Sequence, residues 1–319
     1  MSTSTAWDVV TVGETMVAFT GRGTGREFLA VTAGAESNVA AGLAALGLRA
    51  RWVSRLGDDH LGRLVVDAVT ARGVDAAVVH DVDRPTGVMT KHVLGDTTSR
   101  RYYRTESAAR ELSPADLHRF GRTDWIHVTG ITCAISPSAA ELVDAVLDGR
   151  NTHGARVSFD VNLRPALWPS TAEAAEHLLR AARRADLVLI GDDEASTLFG
   201  TTDERALADL FLTRDDQELV LKRGPGPATL LTTSDARTEP ALRTDVVDVT
   251  GAGDAFAAGY LGARCLGWPP PDRLRLGHYL ASRVVTTIDD VGPPLTEHER
   301  QALSPRFLAA RWADDARRH

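Results

Sequence analysis

Short apolar runs alternate with helical patterns along most of this chain. DVVTVG (8–13) and ARWVSRLG (50–57) have the length and side-chain content of strands. ESNVAAGLAALG (36–47) is an alanine-rich helix, and HLGRLVVDAVTARG (60–73) a second, each stopping at a glycine. The alternation continues through DWIHVTGIT, SPSAAELVDAVLDG, ARVSFDVN and STAEAAEHLLRAARRADLVLIG. In the last of these, Ala175, Leu178, Leu179 and Ala182 recur at three- and four-residue spacing, which gives one apolar helix face before the LVLI strand. ELVLKRGPGPATLLTT follows as two strands about a Gly/Pro turn. This order predicts an α/β fold, a doubly wound and mostly parallel sheet with helices on both faces. Ligands of such sheets sit beyond the carboxyl ends of the strands.

One segment breaks the alternation. GVMTKHVLGDTTSRRYYR (87–104) holds two strand-like runs around GDTT with no helix after them, a hairpin signal. A hairpin projecting from a parallel sheet is an edge decoration or a lid. With 319 residues, and no long linker, repeat or low-complexity stretch, one main domain over 1–319 with a small β insertion is expected. Hydrophobic content of 43% and charged content of 25% are those of a globular protein. The net charge of −7 argues against a chain held on nucleic acid by general positive charge, though not against a local basic pocket. Cys133 and Cys265 stand far apart in no metal spacing, as buried thiols of a reducing cytoplasm do. The scattered histidines form no zinc pattern. MSTSTAWDVVTVGE lacks the basic and apolar regions of a signal peptide, and no apolar run reaches the ~20 residues of a membrane span. A cytoplasmic location is the expectation.

DVTGAGDAF (248–256) puts two glycines and two aspartates at the mouth of an apolar run. If a helix starts near Gly251, its first N–H groups have no intrahelical partner, and glycines at 251 and 253 let a ligand reach that backbone. The helix dipole makes the spot suitable for a phosphate. Asp254 in the first turn would repel that phosphate, but it could take the proton of a hydroxyl attacking phosphorus. Anion hole plus general base is one reading; a glycine-rich turn with a helix-capping aspartate is the other. A dinucleotide site would need GxGxxG after the first strand, where VTVGETMVAF has one glycine, and the Walker A spacing is absent.

AGAESNVAAGLAALG (33–47) resembles the N-terminal signature of the ribokinase-like (PfkB) carbohydrate kinases, and DVTGAGDAFAAGYL (248–261) their C-terminal one. The resemblance spans nearly the whole chain, including LVLKRGPGPATLL before the second signature. It implies ATP-dependent phosphorylation of a sugar hydroxyl, with Mg2+ accompanying the nucleotide. The lid it implies comes mainly from 87–104, with 14–33 contributing. Asp254 falls on the family's catalytic base, and the amides of Gly251, Ala252 and Gly253 on its anion hole. Lys222, Gly224 and Gly226 fall in the loop lining the nucleotide, and Gly34 and Asn38 where the first signature meets the sugar.

RYYR (101–104) and NLRPALW (162–168) resemble the 2-keto-3-deoxygluconate kinase branch, in which Tyr102, Arg104 and Arg164 would contact an acidic sugar; Met89 and Ile131 are placed with them. Guanidinium groups in a closed site need a carboxylate to pair with, because an unpaired buried charge is costly. The alternative is that the two arginines lie on the surface or pair with Asp83 or Asp160. RPTGVMTK has Met89 where the branch often carries a tyrosine, so one hydroxyl contact is lost. LVLIGDDEA keeps Glu194 of the family's NxxE element, expected to touch the magnesium water shell, but has Gly191 at the asparagine; Asp192 and Asp193 could compensate. Asp290 is carried over as a substrate contact. The activity the resemblance implies is phosphorylation of a sugar acid, 2-keto-3-deoxygluconate to its 6-phosphate, with a neutral-sugar (fructokinase- or ribokinase-like) kinase and a non-catalytic sugar-binding protein as rivals. The partners expected are a small sugar or sugar acid and ATP, with no nucleic acid or membrane, and a dimer through the open edge of the lid.

Overall fold

The computed structural model describes residues 6–22, 27–94 and 97–317; residues 95 and 96 of the GDTT turn and the first five of the N-terminal segment lie outside it. Among the described residues nine strands form one sheet. Their spatial order is Ala236–Glu239, Ala228–Leu231, Glu218–Lys222, Leu187–Gly191, Arg156–Asp160, Thr123–Thr129, Trp7–Val12, Ala50–Gly57 and Asp75–Asp81. Pairing is parallel from Glu218–Lys222 through to Asp75–Asp81, and the two strands at the opposite edge, Ala228–Leu231 and Ala236–Glu239, add antiparallel.

The inner strands read as continuous apolar runs because helices cover both faces. Leu187, Val188, Leu189 and Ile190 are all fully buried. Alternate residues feed two separate cores: Val10, Val188 and Ile190 pack on one side with Phe159 and Leu178, while Val9, Leu187 and Leu189 pack on the other with Trp52 and Tyr260. Trp7–Val12 is flanked by Ala50–Gly57 on one side and Thr123–Thr129 on the other, so the chain order reverses there. Such a switch point opens a crevice beyond the strand ends.

A second sheet stands off the first, in the order Phe28–Ala33, Met16–Arg22, Val88–Leu94, Thr97–Tyr103. Both excursions of the chain enter it, because Met16–Arg22 pairs in parallel with Val88–Leu94 as well as antiparallel with Phe28–Ala33. Burial alternates along it: Gly87, Met89 and Lys91 are buried, whereas Val88, Thr90 and His92 are half-buried. Across the hairpin, Tyr102 faces Met89 and Arg100 faces Lys91. Met16, Ala18, Ala33 and Met89 give this sheet a small apolar cluster of its own.

The run after DVTG forms the helix Ala252–Cys265, packed between the helices Ala35–Ala45 and Pro270–Val284. Its Gly259 explains part of the glycine content: a Cβ there would lie 2.4 Å from the Leu276 carbonyl oxygen, so glycine permits the close helix crossing.

Candidate active site

Helix Ala252–Cys265 begins where the sequence places it. Gly251 is the N-cap at φ +80°, and a Cβ on it would sit 2.0 Å from the Asp290 carbonyl oxygen, so the turn requires glycine. The Ala252 N–H donates to the Val249 carbonyl (3.2 Å). Of the three amides expected to form an anion hole, the Ala252 N–H is thus used in closing the turn, which leaves those of Gly251 and Gly253 open. Neither of those has a hydrogen-bond partner among the described residues. The mouth is open, since a Cβ on Gly253 would meet only Lys222 Nζ, at 3.8 Å, and one on Gly224 nothing within 4 Å. Gly224 (φ +50°) and Gly226 lie in the loop joining Glu218–Lys222 to Ala228–Leu231, beside that mouth.

Asp254 lies in the first turn of the helix, held from two sides. Asn38 Nδ2, from helix Ala35–Ala45, donates to its Oδ2 at 2.9 Å, and Asn162 Nδ2 lies 3.4 Å from its Oδ1. Asn162 follows the strand Arg156–Asp160 in a left-handed conformation, φ 39°. Burial pushes the Asp254 carboxyl up to about 6, against the Asn38 hydrogen bond and the positive charge of Arg164, which hold it down. The group therefore changes charge near neutral pH, as a proton acceptor in catalysis should.

Lys222 Nζ, half-buried, is 2.8 Å from Oδ2 of the fully buried Asp160. Burial alone would lower the lysine, but Asp160 and Glu194 keep it above the usual range and cationic beside the glycine mouth. Glu194 receives the Leu163 N–H on Oε1 and the Gly191 N–H on Oε2, both at 2.7 Å. Gly191 thus contributes a backbone donor where an asparagine side chain was expected. Burial raises the Glu194 carboxyl, with Lys222 opposing.

The two arginines expected to grip an acidic sugar differ. Arg164 is exposed, and its only hydrogen bond among the described residues goes to the Leu163 carbonyl (3.0 Å). Neither Asp83 nor Asp160 pairs with it. Arg104 is 9% exposed and ion-paired with Glu14, itself 4% exposed and receiving the Ser107 hydroxyl at 2.5 Å. The surface and Asp83/Asp160 alternatives for Arg104 give way to this internal partner, whereas the exposed Arg164 fits its surface alternative and has no ion pair among the described residues. Tyr102 is 42% exposed with no hydrogen-bond partner among the described residues, opposite the buried Met89. Gly34 caps helix Ala35–Ala45 and touches Thr15, and Ile131 lies in the first turn of the short helix Gly130–Ile135. Asp290 is buried and pushed up to about 6 by that burial, opposed by Lys91 and reinforced by Asp254 and Asp248.

Asn162, Asp160, Glu14 and Lys91 are the site residues the sequence reading missed. Asn162 and Asp160 stand in DVN at a strand's carboxyl end, where ligands of such sheets gather. Lys91 stands two positions from Met89, on the same strand face.

Open amides at a helix mouth, a positioned carboxylate and a half-buried lysine stand together at a sheet switch point, an arrangement that suits a phosphoryl group. The family model for the pfkB family carbohydrate kinases matches residues 7–296. A 2-dehydro-3-deoxygluconokinase of Bacillus subtilis (strain 168) is 34% identical over 309 residues, covering 93% of this chain and 95% of that one. A fructokinase of Klebsiella pneumoniae is 31% identical over 254 residues, 78% of this chain and 82% of that one. The crystal structure of a PfkB protein from Polaromonas sp. JS666 superposes with a TM-score of 0.82 at 32% identity, covering 93% of this chain and all of that one. The chain belongs to the pfkB family of carbohydrate kinases and is an ATP-dependent sugar kinase.

Proposed function

We propose that this kinase phosphorylates a sugar acid, 2-keto-3-deoxygluconate (2-dehydro-3-deoxygluconate), to its 6-phosphate. The observation that carries the acid preference is Arg164, an exposed guanidinium whose charge acts on Asp254 and which forms no ion pair among the described residues. A substrate carboxylate would supply that partner. The Bacillus relative's name agrees with this reading.

In the proposed mechanism Asn38 and Asn162 aim the Asp254 carboxylate at the acceptor hydroxyl. Asp254 takes its proton as the hydroxyl oxygen bonds to the γ-phosphorus and the bond to ADP breaks. The Gly251 and Gly253 amides and the Lys222 ammonium face the charge that develops on the transferred group. Gly224 and Gly226 leave the loop open to the nucleotide. Gly34, Met89, Tyr102, Ile131 and Asp290 complete the wall around the sugar.

Mg2+ would supply charge neutralisation on the nucleotide phosphates. The described residues contain no cluster of three or more acidic, His or Cys ligands, so the metal would be held chiefly by phosphate oxygens and water. Glu194, with each oxygen already accepting a backbone N–H, suits the water shell better than direct ligation. The small sheet is read as a lid that excludes water, the competing acceptor. Phe28, Leu29, Tyr102 and Tyr103 are exposed on it, and these side chains support pairing with a second copy there.

A neutral-sugar kinase is the second reading. It is favoured by the Glu14 partner of Arg104, which removes one of two expected carboxylate-binding charges, and by the fructokinase relative. A coupled assay of ADP release from ATP with a panel of sugars and sugar acids separates the readings. A kcat/KM higher for fructose or ribose than for 2-keto-3-deoxygluconate overturns the first.

A further inference from the structure

Lys91 lies outside both signatures and is only 3% exposed. It is carried by the small sheet, yet its ammonium reaches the turn that opens the helix Ala252–Cys265. Nζ is 2.5 Å from Asp248 Oδ2 and 3.1 Å from Thr250 Oγ1, with Asp290 Oδ1 at 3.8 Å. Arg100, directly opposite Lys91 in the hairpin, donates to the same Thr250 hydroxyl at 2.8 Å. That hydroxyl in turn donates to Asp248 Oδ1 at 2.6 Å, so its one donor and both lone pairs are used.

Like charges facing each other across an antiparallel ladder destabilise the hairpin that carries them. Here the acceptors that offset this cost lie on the main body. The two cations therefore serve contact between sheet and turn rather than the sheet itself. Asp248 responds accordingly: burial would raise its carboxyl, but the hydrogen bonds from Lys91 and Thr250 hold it below the usual range.

We propose that Lys91 is a positioning residue for phosphoryl transfer, its ammonium fixing the 248–251 turn against the small sheet and so setting the direction of the Gly251 and Gly253 amides. This rests on reading those amides as the anion hole.

The test uses the full chain with ATP and its best substrate from the sugar panel. Lys91→Met should lower kcat about 10- to 100-fold, the loss of one charge-assisted contact, while KM for ATP stays within about threefold. ADP released per sugar phosphate formed should rise, because a misplaced turn and a loosened lid admit water. In Lys91→Ala, added ethylammonium should restore part of kcat by refilling the site between Asp248 and Thr250. A folded Lys91→Met with wild-type kcat, or no amine rescue of Lys91→Ala, overturns the proposal. If Lys91→Met does not fold, Arg100→Met, on an exposed position, takes its place: a lower kcat at unchanged KM for ATP supports the proposal, and an unchanged kcat overturns it. These readouts are ratios to wild type on whichever sugar it accepts. A failure of the sugar-acid or Asp254 reading would show instead in the sugar panel or in Asp254→Asn.

Discussion

Asn38 donates its side-chain amide to Asp254 Oδ2 over 2.9 Å, joining residues 216 positions apart in the sequence. The contact unites the two signature segments and leaves the carboxylate oriented beside the open amides of Gly251 and Gly253. As a neutral donor, Asn38 can steer the proposed base without cancelling its charge. Replacing Asp254 by Asn keeps the shape and removes the proton acceptor. Asp254→Asn should lower kcat about 100- to 10,000-fold with little change in KM for ATP. Steady-state kinetics check this, and turnover within tenfold of wild type would sink the assignment.

The same carboxylate sets a pH dependence. Its value of about 6 lies above the ordinary range, and the base works only when ionised. Turnover should therefore be full above that value and fall about tenfold per pH unit below it. The Asn38 hydrogen bond favours the ionised form, so Asn38→Ala should move the acid limb to higher pH. A kcat profile flat from pH 5 to 8 contradicts the proposal.

The two glycines of the helix mouth should respond differently. Around Gly253 the nearest atom to an added Cβ is Lys222 Nζ at 3.8 Å, so Gly253→Val should fold and fill the space the phosphate needs. At Gly251 the φ of +80° and the Asp290 carbonyl oppose any side chain. Gly251→Ala should cost stability as well as turnover, on the order of 1–2 kcal/mol from the backbone alone. Thermal unfolding beside activity measurements distinguishes them. Normal turnover in Gly253→Val would mean that the glycine serves only the turn.

Arg164 and Arg104 should also part. Losing one charge-assisted contact to a substrate carboxylate costs roughly 1.5–3 kcal/mol, or about 10- to 150-fold in kcat/KM. Arg164→Met should show that loss with 2-keto-3-deoxygluconate and spare a neutral ketose, with Tm almost unchanged because the side chain is exposed. Met89→Tyr, which returns a hydroxyl to the lid, should raise the acid preference or leave it unchanged. Arg104→Met leaves Glu14 buried without its ion pair, a change that typically costs about 3–5 kcal/mol, so it should lower Tm on any substrate. Equal loss on acidic and neutral sugars in Arg164→Met would remove the acid reading.

The local pattern of the chain determined the strands and helices of the main sheet. DVVTVG, ARWVSRLG and LVLIG are short and apolar because both faces of a parallel strand are covered, and glycines 47 and 73 mark helix ends through their left-handed backbone. Asp254 and the glycines beside it were legible for the same reason, since a helix mouth is built from consecutive residues. Tertiary structure alone decided which charges meet. Nothing near Lys91 in the sequence points to Asp248, Arg104 gives no sign of Glu14, and Asn162 becomes a partner of Asp254 only when a strand end and a helix mouth converge. A long side chain chooses its partner by distance in space, and in a doubly wound sheet the strands that bring partners together lie far apart in the chain. Arg104 is paired and Arg164 is not because Glu14, just beyond the central strand Trp7–Val12, lies against Arg104, while Arg164 stands exposed to solvent.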